Sequence, residues 1–159
     1  MPIDTSEFRR ILGHWVSGVA VVAARTKEGM LCGLTANAVA SVSLRPPLVL
    51  VCIDHAADSH DCIRDAGTFS INILAADQER LARRFAAWDI NTKFEGVAHS
   101  PGATGAPLLD NALAWVECRL YGTTPGGDHT IFIGEVLDGD SREGTPLLYY
   151  RGGYGRFVP

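Results

Sequence analysis

The stretch Gly33–Ile53, GLTANAVASVSLRPPLVLVCI, decides how this chain is read. Its first half sets small and hydroxyl residues (Thr35, Asn37, Ser41, Ser43) between apolar ones, and its second passes through Pro46-Pro47 into an almost wholly apolar run. LVLVCI is too short for a globular helix and suits a strand buried on both faces. The segment before it admits two readings. Either it is a sheet face with its hydroxyls turned to water, or it is a row of short donors beside free backbone N–H groups. Such a row holds a phosphate or the carbonyl edge of a heterocycle without a charged side chain.

The neighbouring sequence is strand-like as well. Gly18 leads into VAVVAART, the polar Lys27-Glu28-Gly29 closes it, and MLCGLT resumes, which predicts a hairpin. Ahead of it, Thr5 or Ser6 is placed to cap a helix with Phe8, Ile11, Leu12 and Trp15 at helical spacing and Glu7 in its first turn. Downstream, TFSINIL, AWVECRLYG and TIFIGEVLDG read as further strands. In AWVECRLYG, Trp115, Glu117, Arg119 and Tyr121 alternate with Val116, Cys118 and Leu120. Asp77 is placed to cap QERLARRFA, a short amphipathic helix with Leu81, Arg84 and Phe85 on one face. Gly96–Asn111 is the longest irregular stretch and is expected to run over the surface above a pocket. Many strands broken by Gly and Pro, with few short helices, disfavour a doubly wound sheet and favour an antiparallel barrel or sandwich.

With 159 residues and 47% hydrophobic content, the chain is expected to form one domain, residues 1–159, burying roughly two-thirds of its unfolded surface. A net charge of −4 without a run of Lys or Arg provides no footprint for nucleic acid or an anionic membrane. MPIDTSEFRR lacks the pattern of a secretory signal, and no apolar run reaches the roughly 18 residues of a membrane span, so a cytoplasmic protein is expected. The four cysteines, Cys32, Cys52, Cys62 and Cys118, form no Cys-x-x-Cys pair and read as buried reduced thiols rather than zinc ligands or disulfides.

The common catalytic signatures GxxxxGK[ST], GxGxxG after a strand, HExxH and GxSxG are absent. The five histidines are dispersed; His55 and His60 lie among Asp54, Asp58 and Asp61, a grouping that reads as a solvated loop rather than a metal site. In GGDHTIFIGEV the glycines set Asp128 and His129 at the mouth of a strand. There the histidine either contacts a ligand or supplies a proton, or the pair simply forms a turn.

The order of GVAVVAA, GLTANAVASVSLRPPLVLVCI, FSINIL, LARRFA, KFEGV, AWVECRL, GGDHTIFIGEV and PLLYYRGGYG resembles the flavin reductase family of FMN-binding split-barrel proteins. The likeness covers Phe8 to Tyr154. It implies a six-stranded antiparallel split β-barrel with Greek-key topology and a few flanking short helices. It also implies a homodimer, and hydride transfer from NADH or NADPH to FMN or FAD, with the reduced flavin passed to a separate monooxygenase. Carried onto this chain, it implies that Thr35, Ala36, Asn37, Ser41, Val42 and Ser43 line the flavin and that Cys52, Ile53 and Asp54 flank its ring system. Ser59 and Arg84, with Phe85, fall at the phosphate end; His129 faces the nicotinamide and flavin rings as the catalytic candidate, and Tyr154 packs nearby. Ala38 stands where the family often has a polar residue, and His60-Asp61 where it has further hydroxyls. Two alternatives remain open: a tightly flavin-bound reductase of another acceptor, such as a corrinoid or ferric complex, and a non-enzymatic flavin-binding protein.

Overall fold

The computed structural model describes residues 1–87 and 92–159. Helix α1 (Thr5–Leu12) precedes the short β1 (Ser17–Gly18), and β2 (Ala20–Arg25) and β3 (Leu31–Ala36) form the expected hairpin, with Gly29 turning it at φ +87°. β4 (Val39–Leu44) and β5 (Pro47–Asp54) make a second hairpin across a cis Arg45–Pro46 bond. Then come α2 (His60–Ala66), β6 (Thr68–Ile73), α3 (Glu79–Phe85) and the short β7 (His99–Pro101) and β8 (Pro107–Leu109). The long pair β9 (Ala114–Gly126) and β10 (His129–Ser141) and the final hairpin β11 (Leu147–Tyr150) and β12 (Gly153–Arg156) complete the chain.

The main sheet runs β3-β2-β6-β9-β10-β5-β4, and each of its pairings is antiparallel. Its two edge strands, β3 and β4, are joined by only Asn37 and Ala38. A sheet whose edges are tied by two residues must curl round on itself, so the architecture is a barrel split between β3 and β4. The sheet has seven strands rather than six, because SVS pairs with β5 as a strand of its own, bulged between Ser41 and Ser43.

β2 explains why the barrel has two cores. Ala20, Val22 and Ala24 point into the barrel with Val51, Ile53, Phe69, Ile71 and Phe132, and Ile63 of α2 plugs it. The alternate residues Val19, Val21 and Ala23 face outward onto Phe85 of α3, Leu74, Leu109 and Leu147. Strand periodicity of two thus lets one apolar run serve both layers. LVLVCI itself is less enclosed than expected. Val51 and Ile53 are fully buried, but Leu48, Val49 and Leu50 are half-buried because β5 lies next to the open edge.

Several local expectations are corrected. Asp4, not Thr5 or Ser6, caps α1, its carboxylate accepting from Glu7 N at 2.9 Å. The N-cap of α3 is Gln78 rather than Asp77, and Gln78 uses its side chain to tie Ala75 N and Asp110 O instead. Gly96–Asn111 holds the β7–β8 ribbon and is anchored from below. Glu117 accepts from Ala103 N, Thr104 N and Thr104 Oγ1, while Asn72 and Ser70 bind the β8 backbone. Cys32 and Cys62 are joined as a disulfide, whereas Cys52 and Cys118 are free. The barrel packs α2 against β3, bringing the Cα atoms to 6.5 Å, inside the span a disulfide bridges. Thirty residues of sequence separation conceal this proximity. Among the described residues no helix is long and apolar enough to cross a membrane.

Candidate active site

A groove runs along the outer side of β3, between α3, the turn after β5 and the β11–β12 hairpin. One cavity of about 200 Å³ is lined by Val19, Thr35, Asn37, Ala86, Tyr149 and Tyr154. A second, of about 210 Å³, is lined by residues that include Leu34, Asp54, Ala57, Asp58, Phe85 and Lys93. The two share Thr35 and Ala86, and their combined size suits a small organic ligand, for which pockets of about 300 Å³ and upward are usual.

β3 supplies the floor, and Gly33 is why helix α3 can lie so close. A Cβ there would sit 3.0 Å from Cε1 of Phe85, which is wholly buried. The freed carbonyl of Gly33 collects two donors, Ser59 Oγ at 2.8 Å and Lys93 Nζ at 2.9 Å. Lys93 also reaches Asp58 Oδ1 at 3.1 Å. Thr35 donates its hydroxyl to Ala82 O at 2.5 Å, so the oxygen's lone pairs remain available toward the groove. At the far end Tyr149 and Tyr154 meet edge-on with centroids 5.4 Å apart, and the guanidinium of Arg83 lies 4.9 Å from the Tyr154 ring centre. Burial raises the Tyr154 phenol above its ordinary value, with Arg83 pulling the other way, so it is a neutral hydrogen-bonding group at physiological pH.

His129 begins β10 directly across from Asp54 at the end of β5, the end that lines the second cavity. Gly127, at φ +68°, makes the turn that puts it there. The ring donates from Nδ1 to Asp128 Oδ1 at 2.6 Å, and that bond holds the Asp128 carboxyl below the usual carboxylate range. The aspartate thereby orients the ring, leaving Nε2 as the free edge.

Of the residues singled out from sequence, Thr35, Asn37, Asp54, Phe85 and Tyr154 come together around the groove, with His129 at its margin. Others are placed differently. Ala36 and Ile53 face the barrel core, at 7% and 0% exposure, so only their backbones reach outward. Ser41, Val42 and Ser43 lie on the edge strand β4 and line neither cavity, and Cys52 is half-buried on β5, its N–H donating to Ala38 O. The Ser59 hydroxyl is buried and spent on Gly33 O. Arg84 turns away from the groove: its guanidinium donates to the carbonyls of Lys93 at 2.7 Å, Thr92 at 2.8 Å and Glu95. It therefore clamps the turn that carries Lys93. Lys93 and Asp58 are charged groove residues that sequence reasoning missed, and Tyr149 is an aromatic one. KFEGV marked the segment, but only the fold shows its lysine running inward.

The architecture defines a small antiparallel split-barrel protein with an open groove walled by aromatic rings, short polar side chains and one buried lysine. The chain belongs to the flavin reductase-like domain family, whose model matches residues 12–157. It is 44% identical over 158 residues to the reductase component of 4-nitrophenol 4-monooxygenase/4-nitrocatechol 2-monooxygenase of Rhodococcus opacus, covering 99% of this chain and 84% of that one. Among solved structures, nitrilotriacetate monooxygenase component B of Mycobacterium thermoresistibile superposes with a TM-score of 0.93 at 34% identity, over 98% of this chain and 88% of that one. The NADH:FAD oxidoreductase of Streptomyces globisporus C-1027, solved in complex with NAD and FAD fragments, matches with a TM-score of 0.90 at 39% identity, over 98% and 94% of the two chains.

Proposed function

We propose that this chain is an NADH-dependent flavin reductase that reduces FMN or FAD and supplies the product to a separate monooxygenase. The carrying observation is its near full-length likeness to reductase components of such systems, joined to a groove of the right size on the same fold. The residues fit a flavin. Thr35 and Asn37 offer polar edges, Tyr149, Tyr154 and Leu34 offer flat or apolar walls, and Lys93, bonded to Gly33 O and Asp58, braces the Asp58 end. The flavin and nicotinamide themselves carry the hydride chemistry. The protein's part is to hold the two rings in register and exclude water, and alignment of this kind is worth several kcal/mol. No nucleophile paired with a base is needed for that work. His129, fixed by Asp128 and facing Asp54, is assigned to orienting the nicotinamide.

A homodimer accounts for the surface of α1. None of its residues is buried, yet Phe8, Ile11 and Leu12 stand on one face at 53%, 46% and 51% exposure, with Trp15 beyond them at 81%. A second copy of the chain is assigned to that face.

Steady-state oxidation of NADH and NADPH, followed at 340 nm with added FMN or FAD, tests the proposal. Turnover that rises with free flavin supports it. Flavin binding without oxidation of either nucleotide would refute it and leave a flavin carrier; turnover only with a third acceptor would indicate a bound-flavin reductase.

A further inference from the structure

Of the grouping after β5, His55 and Asp61 are exposed as a solvated loop requires, but His60 is not. His60 is 7% exposed, its ring packed edge-on to Phe132 at 5.3 Å between centroids. Thr130, one residue past His129 and on the opposite side of β10, bridges the two histidines. Its Oγ1 lies 3.0 Å from His55 Nε2 and 2.8 Å from His60 Nε2. His60 Nδ1 in turn lies 2.8 Å from Asp61 Oδ1.

Elementary valence orients this chain. Asp61 is held as a carboxylate by the bond from His60 and by Arg64, and a carboxylate only accepts. His60 therefore carries its proton on Nδ1, and its Nε2 accepts from the Thr130 hydroxyl. That leaves the Thr130 oxygen to accept from His55 Nε2–H. The direction is single: His55 to Thr130 to His60 to Asp61.

His60 is buried in the barrel wall, Asp61 beyond it is exposed, and His55 stands beside the wall of the groove. His55 stands between Asp54, which lines the second cavity, and a turn whose Ala57 and Asp58 line it too. The turn is also pinned by His55 N to Asp128 O at 3.0 Å and by Ala56 N to Asp54 Oδ1 at 2.8 Å. We propose that Thr130 is a positioning residue for the flavin, its hydroxyl locking the turn from Asp54 to Asp58 to the barrel through the two histidines. This rests on the flavin-reductase reading of the groove.

Long-range imidazole ¹H–¹⁵N spectra of the flavin-free protein at pH 8, with flavin titrations of T130V and T130S, test this. The wild type is expected to show His60 protonated on Nδ1 and His55 on Nε2. T130V is expected to raise the dissociation constants of FMN and FAD three- to tenfold while kcat at saturating flavin changes less than twofold, and T130S to stay within twofold of wild type. His60 protonated on Nε2, or T130V with wild-type flavin affinity, would overturn the proposal. A wild type that binds neither flavin overturns the functional reading itself, whereas the tautomers judge the relay independently.

Discussion

Replacing Lys93 by Met keeps most of the side chain's volume and removes its charge. Lys93 is 4% exposed and donates to Gly33 O and to Asp58 Oδ1. The Gly33 carbonyl keeps Ser59 Oγ as a partner, so the loss falls on Asp58. Its Oδ2 already finds no partner among the described residues, and its Oδ1 is left with a 3.3 Å contact from Ser59. Breaking a buried ion pair from one side costs about 3–5 kcal/mol, because the other charge stays behind uncompensated. The Asp58 side chain is 24% exposed, and partial access to water sets the expected cost at the low end, about 3 kcal/mol. At about 2–4 °C per kcal/mol for a chain of this size, K93M should melt roughly 6–12 °C below wild type. K93M/D58N, which removes the stranded charge as well, should recover more than half of the loss. Urea and thermal unfolding followed by circular dichroism measure both. A K93M loss under about 1 kcal/mol, or no recovery in the double variant, would refute the reasoning that the pair is a buried strut.

Three further outcomes are expected. Thiol counting in denaturant should find two reactive cysteines before reduction and four after; the closed segment of 30 residues makes C32A/C62A about 3–4 kcal/mol less stable, and a count of four without reductant would remove the bridge. Burial, and then the neighbouring Glu117 charge, push the Cys118 thiol from 9.0 to about 12; the folded form holds its proton more tightly than the unfolded chain, so this contribution is complete below about pH 9 and is lost as pH rises toward 12. Absorbance at 240 nm of C52A in the absence of reductant should accordingly show no thiolate until above pH 11. His129→Ala should lower nicotinamide-dependent turnover well beyond any change in flavin affinity, checked by single-turnover reduction beside flavin titration; equal effects on both would remove its orienting role.

The fold was legible where one residue type at one spacing had one stable arrangement. VAVVAA is buried on both faces because both its alternating sets are small or β-branched, and the strands after it announced themselves in the same way. The seventh strand was less legible, since SVS on an exposed edge satisfies a strand and a loop equally well until its partner β5 is known. Capping was off by one or two residues at α1 and by one at α3, where Asp, Thr, Ser and Gln stand side by side and only backbone geometry selects among them.

The site was legible in kind and less so in allegiance. A sequence shows which groups can bond but not where their bonding capacity is spent, and that is decided by residues far along the chain. Arg84 suited a phosphate by its chemistry, yet three carbonyls at positions 92, 93 and 95 take its guanidinium. Ser59 suited the same role, yet Gly33 takes its hydroxyl. The two losses converge on one structural fact: both residues support the β3 floor and the Lys93 turn, and so they hold the groove's shape rather than touching what fills it. Polar groups that the fold has fully paired cannot also discriminate a ligand without first breaking those bonds. Discrimination at this groove therefore falls to Thr35, Asn37, Tyr154 and the turn that Thr130 fastens, and substitutions there should move flavin affinity more than stability, while those at Arg84, Ser59 and Lys93 should do the reverse.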